Sequence, residues 1–311
     1  MRVYAAALLL LTGTFATSHS LQAQGQEGDV RQLLMVDRSG EVVRALGPRM
    51  NSILDPALSP DGSKAAVRGR PNWGDTDHLW IIEGSDARRL TRNSGSERHM
   101  IWSPDGTRIA YSIQNPGGVS NLYIRPSDGS AGDRPLVVSE GMHKWYPSWS
   151  PDASTLVFHT NDPATEARDL WYVDVASGET GVLVDDDGIQ ALNRMSRDGR
   201  FVAYQSDHEG QLEVYVTTWP RSEARWKVST NGGTWPKWSQ DELFYWEGNT
   251  LMAVPYSAAA DGSFQMGSAT RVLTGAEVGM GADNMMTSYN PEYDVNAQGT
   301  RFLVVQHLED R

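Results

Sequence analysis

The chain contains no cysteine. Disulfides, thiolate metal sites, a cysteine nucleophile and a lipid-modified N-terminal cysteine are therefore excluded, and stability has to come from burial and strand pairing. Positive charge is also scarce. The 27 Lys and Arg residues stand against 39 Asp and Glu, for a formal charge of −12, the opposite of what nucleic acid or an anionic membrane surface attracts. Nucleic acid is accordingly not an expected partner. Beyond the N-terminus no apolar run is long enough to span a bilayer, so no integral membrane segment is expected after leader cleavage. The seven histidines are scattered with no H-x-x-x-H pair, and no G-x-S-x-G occurs, which removes the zincin signature and the hydrolase nucleophile elbow.

The first residues, MRVYAAALLLLTGTFATSHSLQAQ, place one charge at Arg2 before an apolar stretch and then small or polar residues. This reads as a secretory signal over residues 1–23, cleaved after Ala23 or after Ser18, with a retained anchor helix as the alternative. Residues 24–30 read as a flexible linker and residues 31–311 as one large all-β domain. The expected location is periplasmic or secreted.

Six times the same turn returns between two short apolar runs: LSPDGSKAAV from Leu58, WSPDGTRIAY from Trp102, WSPDASTLVF from Trp149, MSRDGRFVAY from Met195, WSQDELFYW from Trp238 and VNAQGTRFLVV from Val295. With Ser59, Ser103, Ser150, Ser196, Ser239 and Asn296 as anchors the spacings are 44, 47, 46, 43 and 57 residues, the period of a four-stranded propeller blade. Proline presets φ and glycine accepts positive φ, so Pro-Asp-Gly is turn chemistry first. In the second unit Arg98–Trp102 and Arg108–Ser112 flank the turn, and Asn121–Arg125 and Arg134–Val138 supply the third and fourth strands. A β-sandwich of regularly spaced hairpins is the competing architecture, but it has no reason to hold a turn tripeptide at fixed offset from an aromatic.

The last unit has only two strands before the chain stops. Near the start, QLLMVDRSGEVVRAL from Gln32 offers two more around Ser39-Gly40. The expectation is a closed six-bladed β-propeller, four antiparallel strands per blade, with the last blade completed by N-terminal strands that hide the sheet edges at the seam.

This repeat resembles the six-bladed propellers with WD40-like Pro-Asp repeats of the TolB family, over about Gln32 to Gln306. The stretch RWKVSTNGGTWPKWSQDELFYWEGNTLMAVPY with its downstream RVLTG and YDVNAQGTRFLVV is also similar to the propeller part of certain bacterial membrane Ser/Thr kinases. The TolB resemblance implies a propeller that works through protein contacts in the bacterial envelope.

Four positions before each anchor stand Asp55, His99, Tyr146, Leu192, Trp235 and Glu292. They are expected to form a ring at one level of the central channel. Asp55, His99 and Glu292 carry oxygen and imidazole donors suited to a divalent cation; the alternative is a polar, water-filled wall. No cofactor is otherwise expected. Loops on the same face bring Asn72, Trp73 and Asp75, then His143, Lys144 and Trp145, and the long segment 275–290 with Met280, Met285 and Met286, read either as an adaptable contact surface or as a plug. Trp102, Trp149 and Trp238 share one repeat position and should fill the space between sheets, each contributing on the order of 2–3 kcal/mol. Trp73, Trp145 and Trp235 fall outside that rule and are expected towards the mouth. The ligand-binding set is thus Asp55, Trp73, His99, Trp145, Tyr146, Trp235 and Glu292.

Two function classes follow. One is a non-catalytic, monomeric binding module gripping an envelope protein or peptide. The other is a small-molecule enzyme, a metal-dependent lactonase or sugar-acid lyase with its site in the channel. A detached ligand-sensing domain is a variant of the first.

Overall fold

The computed structural model describes residues 30–92, 95–281 and 292–308. The leader, all but the last residue of the linker, and Met285 and Met286 lie outside the described residues.

Each anchor turn is a small hydrogen-bonded machine. In the second blade the Ser103 hydroxyl donates to Asp105 Oδ1 at 2.5 Å and accepts the Arg108 N–H at 3.0 Å, while Asp105 Oδ1 also accepts the Thr107 N–H at 3.0 Å. The same three contacts recur around Ser59 and Asp61, and around Ser150 and Asp152. These bonds pull the carboxyls of Asp61 and Asp105 down to about 2. The glycine after the aspartate sits at φ 72° in the first blade and 70° in the second. Ala153 takes that place in the third blade at φ 58°, a conformation that a Cβ disfavours.

Six antiparallel sheets result, and their inner strands, Ser52–Leu58, Ser96–Trp102, His143–Trp149, Gln190–Met195, Thr234–Trp238 and Tyr293–Val295, touch one another in cyclic order. The fold is a closed six-bladed propeller. Five sheets have four strands. The fifth blade has an additional short strand, Phe264–Met266, which pairs with the end of Thr250–Ala258 before Thr270–Thr274 completes the blade; the repeat gave no sign of it.

The seam closes as expected. Val30–Asp37 lies antiparallel along Arg301–Leu308 from the pair Val30↔Leu308 to Asp37↔Arg301, and Val42–Met50 covers its other edge. Arg31, Leu33 and Val305 are buried there.

Six hydrophobic clusters occupy the interfaces between neighbouring blades. Tryptophans at the shared repeat position bridge them: Trp102 donates its indole N–H to the Ala57 carbonyl at 3.0 Å. Trp149 makes no such bond, and Arg108 instead lies over its ring at 4.8 Å.

Candidate functional site

Every inner strand of blades one to five carries one residue too many. In the first blade Leu54 faces Arg68 and Ala57 faces Ala66, so Asp55 and Pro56 form a β-bulge. The same slip occurs between Arg98 and Ile101, Trp145 and Ser148, Ala191 and Arg194, and Thr234 and Lys237. The bulged residues are Asp55, His99, Tyr146, Leu192 and Trp235, all at φ between 51° and 56°. Left-handed backbone in a non-glycine residue usually points to a local functional demand. Here five unrelated side chains repeat it, so the demand comes from the architecture: the bulge turns each inner strand where the blades converge.

Five of the six residues expected to form a ring lie on neighbouring bulges with contacts between them, whereas Glu292 turns to Arg31 and His307. The His99 N–H approaches Asp55 Oδ2 at 3.4 Å, and the His99 ring stacks on Tyr146 with centroids 3.8 Å apart. Tyr146, Leu192 and Trp235 belong to one buried cluster that also takes in Met280, and the Tyr293 hydroxyl donates to the Trp235 carbonyl at 2.5 Å. At this level side chains fill the ring. Trp235 is 2 % exposed and sits in that cluster instead of reaching the mouth, a departure with a simple cause, since the bulge turns a side chain that regular alternation would leave facing the opening.

His159, on the second strand of the third blade, is buried with its ring stacked 5.4 Å from Tyr146. Burial pushes both His99 and His159 well below the usual imidazole range, helped by nearby arginines; they are neutral aromatic spacers at neutral pH. Trp145 is half-buried and meets His99 and His159 edge-on at 5.9 and 6.0 Å, with His143 at 4.8 Å. His143, Lys144 and Trp145 belong to the inner strand and not to a loop. Trp73 stands on the loop between the second and third strands of the first blade, 47 % exposed, with the Arg70 guanidinium over its ring at 5.5 Å.

Two of the three residues with metal-donor chemistry face cationic or imidazole partners, while Asp55 Oδ1 and His99 Nδ1 are buried without a hydrogen-bond partner among the described residues. Asp55 faces Arg68 at 3.7 Å, and Glu292 pairs with Arg31 at 3.0 Å and His307 at 2.9 Å. Among the described residues no three His, Asp or Glu side chains gather closely enough to hold a metal ion.

Sequence reasoning missed the charges. Arg68, Arg98, Arg194 and Lys237 gather around Asp55, Asp77, Tyr146 and Asp294, so four cations share three carboxylates in a chain whose net charge is −12. Burial raises the Asp55 carboxyl despite Arg68, lowers both Arg98 and Arg194, and brings Lys237 down to about 8 despite Asp294 at 3.2 Å. Desolvation therefore outweighs attraction at these four groups. A cavity of about 410 Å³ opens beside it on the side of the anchor turns, bounded by Ala57, Ile101, Trp149, Arg194, Lys237 and Asp294. None of the seven residues singled out from the sequence lines it.

The model of the TolB beta propeller domain matches residues 101–269. The chain belongs to this family. A TolB-assigned protein from Agrobacterium tumefaciens superposes with a TM-score of 0.65 at 16 % identity, covering 91 % of this chain and 99 % of that one. TolB from Acinetobacter baumannii gives 0.56 at 17 % identity over 80 % of this chain and 65 % of its own. At these identities the likeness is one of fold. The uncharacterized peptidase YuxL of Bacillus subtilis (strain 168) is 30 % identical over 112 residues, 34 % of this chain but only 17 % of the peptidase. A TolB-like propeller fold supports a binding role. No helix among the described residues is long and apolar enough to cross a membrane.

Proposed function

We propose that this chain is an exported, non-catalytic binding module whose loop-side mouth grips a protein or peptide of the cell envelope. The observation that carries the reading is Trp73: a large aromatic left 47 % exposed on a loop of an otherwise rigid ring, with Arg70 held against its face. Aromatic and arginine side chains are the commonest energetic anchors of interfaces. The antiparallel pairing Ser52↔Arg70 and His143↔Asn161 places the loop of Trp73 and the strand start before Trp145 at the same end of their blades. Asp55, His99, Tyr146, Trp235 and Glu292 act beneath that face as its support, holding the inner strands at fixed distance. The leader-like N-terminus and the family resemblance favour a periplasmic setting and a monomer.

A photo-crosslinking amino acid placed at Trp73, with Val182 on the outer blade edge as the control position, tests this in envelope extract. A discrete adduct from position 73 that is absent from position 182 and competed by the unmodified protein supports it. Identical adduct patterns from both positions, or none from position 73, contradict it.

A further inference from the structure

Two residues before each anchor, the inner strands present Ala57, Ile101, Ser148, Arg194, Lys237 and Asp294 to the turn-side cavity. This second ring is divided. At these six positions blades one to three supply uncharged residues, with Trp149 and Pro104 beside them, and blades four to six supply two cations and one carboxylate; the turns add Asp61 of blade one and Arg197 of blade four to the rim.

The carboxylate is already spent. Asp294 Oδ1 holds the Lys237 ammonium at 3.2 Å, and its Oδ2 accepts the Leu58 N–H at 2.8 Å. Arg194 donates to the carbonyl of its own neighbour Asn193 at 2.9 Å and lies 5.8 Å from the centre of the Tyr146 ring. No carboxylate among the described residues comes within 4.0 Å of it. A guanidinium in a recessed wall that feels Asp294 and Asp55 only at longer range is costly unless a closer counter-ion is supplied. Its fork of parallel N–H groups matches a carboxylate in shape. The cavity, at about 410 Å³, lies within the range of small-ligand sites.

We propose that the turn-side cavity is a carboxylate site, with Arg194 and Lys237 binding the anion while Ala57, Ile101 and Trp149 cover an apolar body of a few carbons. The site lies at the end of the channel opposite Trp73 and does not depend on the loop-side partner. A free short-chain acid and the C-terminal carboxylate of an apolar peptide end share this chemistry.

Calorimetric titration of the full chain with hexanoate, its neutral counterpart hexanamide, and a leucine-terminated peptide as free acid and as amide tests the proposal. Hexanoate or the free-acid peptide binds, and the matching amide does not; which of the two acids binds identifies the source. Arg194→Gln weakens the binding about ten- to a hundred-fold, whereas Trp73→Ala leaves it unchanged. Should Arg194→Gln not fold, the wild type supplies the readout. Lys237, which faces Asp294, Arg194, Asp55 and the Tyr293 ring, titrates at higher pH when the acid is bound, measured by NMR of labelled lysine. Equal binding of acid and amide, no binding of either acid, wild-type affinity in Arg194→Gln, or an unmoved Lys237 titration would overturn it.

Discussion

Trp238 in the fifth blade donates its indole N–H to the backbone carbonyl of Arg194 in the fourth, at 2.9 Å. The tryptophan that marks the repeat thus clamps the backbone of a residue that lines the cavity. Trp102 does the same to Ala57, another cavity residue.

Replacing the indole by a phenyl ring should separate bonding from bulk. Trp238→Phe and Trp102→Phe leave a buried carbonyl unpaired and are expected to cost about 2 kcal/mol each beyond any loss of packing. Trp149→Phe, whose indole nitrogen has no acceptor, should cost less. Urea unfolding of the three variants checks the order; equal losses would mean that volume alone matters.

The third anchor turn carries a strain that the first two avoid. Ala153 holds φ 58° where Gly62 and Gly106 hold 72° and 70°. Ala153→Gly should therefore stabilise the protein by about 0.5–1 kcal/mol, the relief of the left-handed Cβ exceeding the extra freedom of the unfolded chain. A lower unfolding midpoint in this variant would show that the Ala153 methyl contributes more by packing than it costs.

Glu97 gives the pH dependence a definite sign. It is fully buried, accepts the Thr91 hydroxyl at 2.5 Å and the Leu79 N–H at 3.3 Å, and has one oxygen without a donor. Burial lifts its carboxyl from 4.5 to about 7, Asp133 adding to the shift and Arg125 opposing it. The folded state thus binds the proton more tightly, so this contribution is complete below about 4.5 and is lost as pH rises through about 7. Relative to wild type, Glu97→Gln should gain on the order of 3 kcal/mol between those limits. Unfolding free energies at pH 5 and pH 8 measure it; a constant difference would place the Glu97 titration in its ordinary range.

Much of this molecule is legible in its sequence. The anchor spacing counts the blades, and the pairing of Gln32–Gly47 with the final strands follows from two missing strands at one end and two surplus ones at the other. Strand limits in the second blade agree within two residues. The charged cavity was not legible for a geometric reason. Strict alternation puts the residues four and two places before the anchor on one face, and Asp55, His99, Tyr146 and Trp235 are the more conspicuous of these. The bulge between them in blades one to five sends the first set into a packed layer and leaves Arg194 and Lys237 at the cavity, where the regular strand of blade six brings Asp294. A bulge leaves no mark in residue type when aspartate, histidine, tyrosine, leucine and tryptophan all serve. Reading the position two before the anchor across all six repeats would have found the cations. The hairpin strand Phe264–Met266 belongs to one blade only, so the repeat carries no signal for it.

The central claim is that the channel holds more cationic charge than its own carboxylates neutralise, and the urea midpoint of ligand-free Arg194→Gln tests it most directly. An unmatched cation weakens the empty protein, so the variant should unfold at an equal or higher urea concentration than wild type, with an unchanged slope. A loss of about 2 kcal/mol or more would mean that Arg194 is already compensated within the fold, and the claim would fail.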